Sequence, residues 1–193
     1  MAYRGYNPIA VWLLIAINLL LFIATVINQD LILLLGLQPA NFFARPWTLV
    51  TNLFIHGGIW HILANMLTFY FFGSYLSRLI GTRNFLLVYF GGGILGNILY
   101  LLLAPSPFSI AVGASGAVFA LGGALAVMRP RLRVFIFPIP APLPLWVAVI
   151  GGFIILSILS PFLQIAWQAH LGGLVLGLVA GYIFRRRERY FYT

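Results

Sequence analysis

The chain has 193 residues, 63% hydrophobic and 7% charged, with a mean hydropathy of +1.07; soluble proteins are roughly half apolar and about one quarter charged. That composition excludes an ordinary soluble enzyme or binding module and makes a lipid bilayer the expected solvent. Eleven basic residues, all arginine, face two acids for a net charge of +9, and there is no cysteine, which excludes disulfides, cysteine-held metals and thiol nucleophiles. The arginines lie between apolar runs rather than along one face, so they read as topology signals and not as a nucleic-acid footprint.

Six apolar runs follow in chain order, each suited to a helix in about 30 Å of hydrocarbon: Pro8–Ile27, Thr51–Phe72, Phe85–Leu103, Val112–Met128, Leu143–Ser160 and Trp167–Phe184. The first is too long for a signal-peptide core and no small-residue cleavage site follows it, so it is read as retained. The first outer loop, Asn28–Pro46, contains the short apolar stretch Leu31–Leu35, expected at the membrane interface. Between the fourth and fifth runs, Pro138, Pro140, Pro142 and Pro144 remove backbone donors and favour an extended connection. No internal repeat stands out. With six spans, Arg4, Arg78, Arg83, Arg129, Arg131, Arg133, Arg185, Arg186, Arg187 and Arg189 fall on one side and Arg45 on the other. The positive-inside rule then puts both termini in the cytoplasm. The expectation is one all-α membrane domain over residues 1–193, a six-transmembrane-helix bundle.

Polar groups in hydrocarbon are costly, so those inside spans are functional candidates by default. His56, His61 and Asn65 lie in the second run, Ser115 in Gly113-Ala114-Ser115-Gly116, and His170 near the start of the sixth. At about 1.5 Å per residue, Asn65 stands roughly 20 Å above Arg78, Ser115 roughly 21 Å above Arg129 and His170 roughly 22 Å above Arg185. The three share one layer, about 10 Å below the outer surface, and His61 is about one turn higher. Small residues at spacing four, Gly116/Ala120/Ala124 and Gly173/Gly177/Gly181, allow two helix backbones to touch and bring Ser115 to His170.

Serine needs a base to become a nucleophile, and His170 is the base at its depth. Asp30 falls in the outer loop and Glu188 in the tail, so no acid is placed to orient that histidine, and the pattern is a Ser115–His170 dyad. Phe119, one turn after the serine, is placed to pack on the imidazole. His61 and Asn65, four apart on one helix face, and the Ser115 backbone N–H can donate to a developing oxyanion. His56 lies about 140° from His61 around a helix, so it is expected off that face, at the outer interface in contact with water.

These residues together resemble the rhomboid family of intramembrane serine proteases, over about Asn41 to Gly181. His56-x4-His61-x3-Asn65, Gly113-Ala114-Ser115-Gly116 and Ala169-His170 with the glycines after it match the family's motifs. The resemblance implies Ser115 as nucleophile, His170 as base, and His61 and Asn65 as oxyanion donors. It also implies a transmembrane protein as substrate and a cleavage site with small residues followed by helix-weakening ones. Two departures stand out: the family's Trp-Arg in the first outer loop is here Trp47-Thr48 with Arg45 before it, and the usual Tyr after the serine is Phe119. No cofactor or metal is expected. The expected location is multi-pass in a prokaryotic cell (inner) membrane, with the site opening to the extracytoplasmic side and the fifth span the one that moves aside for substrate. A catalytically inactive rhomboid-like binding protein and a small transporter are the alternatives. The transporter would predict an inverted repeat; metalloprotease and aspartyl-protease readings fail because the sequence has neither His-Glu-x-x-His nor an Asp within any expected span. Oligomeric state is not legible in the sequence.

Overall fold

The computed structural model describes residues 7–135 and 140–190, with side chains through residue 186. The expectations for Arg4 and Pro138, and for the side chains of Arg187, Glu188 and Arg189, fall outside the described residues. The chain is helical: α1 (Ile9–Ile27), α2 (Asp30–Leu35), α3 (Thr48–Thr51), α4 (Ile59–Ile80), α5 (Thr82–Leu103), α6 (Ser115–Met128), α7 (Leu145–Leu163) and α8 (Trp167–Tyr190). Two-residue strands, β1 (Arg133–Val134) and β2 (Leu143–Pro144), pair antiparallel at the base of the proline-rich connection.

Among the described residues four helices, α1, α5, α7 and α8, are long and apolar enough to cross a membrane by length and composition alone. The second expected span is shifted. Instead of Thr51–Phe72, the helix is Ile59–Ile80, because residues 52–54 form a 3₁₀ turn and the Gly57-Gly58 pair runs on without helical geometry. The fourth is shortened to 14 residues, since Val112, Gly113 and Ala114 form a loop that ends on Ser115. The connection between the fifth and sixth expected runs shrinks too, because α7 continues through Pro161 to Leu163 and ends at Gln164, whose φ is 51°.

Helix α6 is the axis of the bundle, with eleven of its fourteen residues buried; an apolar helix without a polar face has to be surrounded. The two small-residue stripes meet in register. A Cβ added at Gly173 would run into the Gly116 carbonyl, one at Gly177 into the Ala120 carbonyl, and one at Gly181 would lie 2.6 Å from the Ala124 carbonyl. Helix α5 closes the third side: Gly92 faces Ala120, Gly96 faces the Ala169 carbonyl, and a Cβ on Gly172 would sit 2.7 Å from the Gly96 Cα. Phe69 of α4 packs on Phe85 and Tyr89 of α5 at ring separations of 6.0 and 5.1 Å, all three fully buried. Between α4 and α5 the chain reverses on Gly81 alone, at φ 80°, a conformation glycine reaches without steric cost.

Helices α1 and α7 are peripheral. Buried polar side chains on α1 donate within the helix, Asn18 to the Leu14 carbonyl at 2.7 Å and Thr25 to that of Phe22 at 2.9 Å, while Asn18 Oδ1 has no partner among the described residues. On α7, Leu145 and Val149 are the buried residues, and Gly151 and Gly152 have open space where a side chain would go. The short apolar stretch Leu31–Leu35 forms α2. Its last carbonyls, which a helix leaves without partners, accept from Arg45 (Leu33, 2.6 Å), Trp47 (Leu34, 3.1 Å) and Thr51 (Leu35, 2.8 Å). Arg45 thus anchors the loop from its own position, two residues ahead of Trp47.

Candidate active site

Ser115 is the first residue of α6 and His170 lies in the first turn of α8, so both sit where a helix begins and their depth is set by the same stripe that packs the two helices. The Ser115 Oγ lies 2.8 Å from His170 Nε2, a hydrogen-bond distance. His170 is buried, and its Nδ1 has no hydrogen-bond partner among the described residues; Asp30 is exposed at the start of α2. The ring is held instead by packing: Phe119 lies 4.7 Å from it at an interplanar angle of 33°, and Phe153 of α7 backs Phe119 edge-on at 6.1 Å.

The loop leading into Ser115 turns on Gly113, whose φ of +120° is foreign to residues with a side chain. A Cβ there would lie 2.7 Å from His61 Nε2 and 3.8 Å from the serine Oγ, so the glycine lets the His61 ring come beside the serine. His61 Nδ1 accepts from the Gly57 backbone N–H over a long 3.4 Å. With that nitrogen an acceptor, the proton of neutral imidazole resides on Nε2, the atom facing Gly113. Asn65 is nearly buried and donates one amide hydrogen to the His61 carbonyl at 2.9 Å, which leaves its second N–H for another acceptor.

His56 departs from expectation. It is not on a helix, so the 140° argument does not apply, and instead of meeting water it is 1% exposed with its ring 5.1 Å from that of His61 in an edge-on contact. The glycine pair Gly57-Gly58 folds it back over the first turn of α4.

Sequence reasoning passes over Asn52 and Asn97. Both are buried, and their side-chain amides bond reciprocally at 3.0 and 2.7 Å. The signal was available, since each lies within an expected span where polar residues are candidates by default.

A family model for the Rhomboid domain matches residues 44–187. The chain is similar to Rhomboid protease GluP of Bacillus subtilis (strain 168), 29% identical over 188 residues that cover 92% of this chain and 35% of that protein. It is similar also to RHOMBOID-like protein 1 of Arabidopsis thaliana, 34% identical over 76% of this chain and 36% of the relative. With Rhomboid-like protease 3 of Toxoplasma gondii the identity is 33%, over 63% of this chain and 49% of the relative. The chain spans less than half the length of each of these relatives. The family match runs from just before α3 into α8 and takes in Ser115, His170, His61 and Asn65, and the chain belongs to the rhomboid family.

Proposed function

We propose that the chain is an intramembrane serine endopeptidase that hydrolyses peptide bonds in or near transmembrane segments of other membrane proteins. The observation that carries this reading is the 2.8 Å approach of Ser115 Oγ to His170 Nε2 at the start of two close-packed helices. Ser115 Oγ attacks the scissile carbonyl carbon as its proton passes to His170 Nε2. The oxyanion that forms accepts from the Ser115 backbone N–H, His61 Nε2–H and the second N–H of Asn65. His170 then gives its proton to the departing amine, and a water activated by the same nitrogen hydrolyses the acyl-enzyme.

In this reading α1 and α4 to α8 are the six spans of one domain over residues 1–193, and ten of the eleven arginines lie on the cytoplasmic side with both termini. The membrane is a prokaryotic inner membrane, and the site opens outward into a wet cavity under the loops near Asn28–Pro46 and Gln164–Ala166. Substrate enters beside α7, whose residues beyond Val149 are not buried.

A fluorophosphonate probe tests the proposal directly. The wild-type protein in detergent should gain one phosphonyl adduct, located on Ser115 by peptide mass spectrometry. Absence of the adduct on a folded protein would overturn the reading in favour of an inactive rhomboid-like binding protein.

Two further results follow from the assigned roles. Asn65→Ala and His61→Ala should each lower kcat by about tenfold to a thousandfold with KM little changed, because an oxyanion donor acts mainly in the transition state. A rise in KM at constant kcat would make that residue a ground-state binding group instead. Asp30→Asn should keep turnover within about twofold, as no acid takes part; a thousandfold loss in a folded Asp30→Asn protein would reveal a carboxylate in the mechanism.

A further inference from the structure

Helix α5 contributes neither the serine nor the histidine, yet at one level it touches the supports of both. Gly96 backs the Ala169 carbonyl, immediately before His170, and packs against Gly172. The next residue, Asn97, turns to the other half of the site. Its Nδ2 donates to Asn52 Oδ1 at 2.7 Å and to the Leu49 carbonyl at 2.7 Å, while Asn52 Nδ2 donates back to Asn97 Oδ1 at 3.0 Å. The Asn52 backbone carbonyl in turn accepts from the Gly113 N–H at 2.9 Å. Gly113 is the residue on which His61 Nε2 rests beside the serine.

We infer that the Asn52–Asn97 amide pair is a positioning device that ties the serine loop to α5 through the Asn52 carbonyl and so sets Gly113 against His61, the oxyanion side of the site. The chemistry favours this over a generic buried contact. A reciprocal amide pair is a two-point, directional link, and the extra bond to Leu49 holds the chain on the far side of Asn52 as well. Both side chains are almost wholly buried, 1% and 2% exposed, so their bonds do not compete with water. The opposite half of the site has a separate support, the contact of Gly116 with Gly173. Loss of the amide pair should therefore shift the oxyanion donors while Ser115 and His170 stay in contact. Asn52 and Asn97 are positioning residues, acting through Gly113, and the kinetic part of this inference rests on the protease reading above.

The test uses a variant that removes both amides together. A single Asn97→Leu strands the Asn52 amide in an apolar setting, which is destabilising by itself. Asn52→Leu combined with Asn97→Leu leaves no unpaired side-chain amide and nearly preserves volume, losing only the bond to the Leu49 carbonyl, so thermal stability in detergent should recover most of what Asn97→Leu alone loses. Turnover of a single-span substrate should stay about tenfold to a hundredfold down in kcat with KM within about twofold. Recovery of kcat along with stability would overturn the inference and make the pair merely structural, and so would a change confined to KM. A measurement on the unaltered protein stands apart from activity and from the folding of any variant. Hydrogen exchange resolved to single residues should find the Gly113 amide at least about a hundredfold slower than that of Val112. Equal rates would overturn the link to Asn52. If the wild-type protein takes no fluorophosphonate while Gly113 is protected, the protease reading fails and the link between Asn52 and the serine loop stands.

Discussion

Ser115→Ala and His170→Ala are each expected to reduce proteolysis by about four to six orders of magnitude, and the double variant should be no worse than either single one. In the proposed mechanism the two side chains act as one unit. Without the imidazole 2.8 Å from its oxygen, the serine hydroxyl stays protonated and is a weak nucleophile. Without the hydroxyl, the imidazole has no nucleophile to activate. Both variants should fold. Ser115 makes its side-chain bond to His170, and His170 is seated by Phe119 and Phe153 rather than by a network that would collapse. Cleavage of a purified single-span substrate in vesicles, with thermal unfolding in parallel, checks both points. Substantial residual cleavage by either single variant would remove that residue from the chemistry.

Gly173→Ala should cost both stability and activity, although it changes one hydrogen into a methyl group three residues from the nearest catalytic candidate. The new Cβ has no space, since the Gly116 carbonyl occupies its position, and backbone on both sides means the strain is relieved only by moving α6 away from α8. Overpacking of this kind costs about 1–3 kcal/mol. The same movement separates Ser115, next to Gly116, from His170 on the facing helix, and a displacement near 1 Å can cost about a hundredfold in rate. Gly151→Ala on α7 is the matching control: nothing lies within 4 Å of the added methyl. Alanine's better helix propensity should leave that variant as stable as wild type or up to about 1 kcal/mol more so, with activity unchanged. A Gly173→Ala protein with wild-type unfolding temperature and turnover would show that the glycine stripe does not set the distance between serine and histidine.

The contrast between those two glycines describes how the bundle divides its labour. Helices α5, α6 and α8 touch backbone to backbone through small residues, the packing available where lipid offers no hydrophobic drive for association. They hold Ser115 and His170 rigidly. Helix α7 buries Leu145 and Val149, lies against α6 where Val149 faces Gly122, and meets it farther along through the Phe153–Phe119 ring contact that ends on His170. A displacement of α7 would therefore open the side of the bundle while loosening one aromatic support of His170.

The sequence alone determined the apolar class of the chain, its helical architecture, the short apolar stretch that forms α2, and the approach of Ser115 to His170. Each is a one-dimensional property: apolar run length, charge placement, and residue count from a flanking arginine converted to rise along a helix. The matching of Gly116, Ala120 and Ala124 with Gly173, Gly177 and Gly181 was legible for the same reason, because a spacing of four puts residues on one helix face. What only the tertiary structure decided involves segments that are not helical. Two glycines before Ile59 turn His56 back onto His61, so extrapolating helical angles through them placed it wrongly. Gly113 at positive φ brings His61 beside the serine, and one motif glycine does not reveal its torsion. The pairing of Asn52 with Asn97 joins residues 45 positions apart; depth along a span says how far in a side chain lies, but direction around the bundle is set by which helices become neighbours, and that is decided by packing in three dimensions.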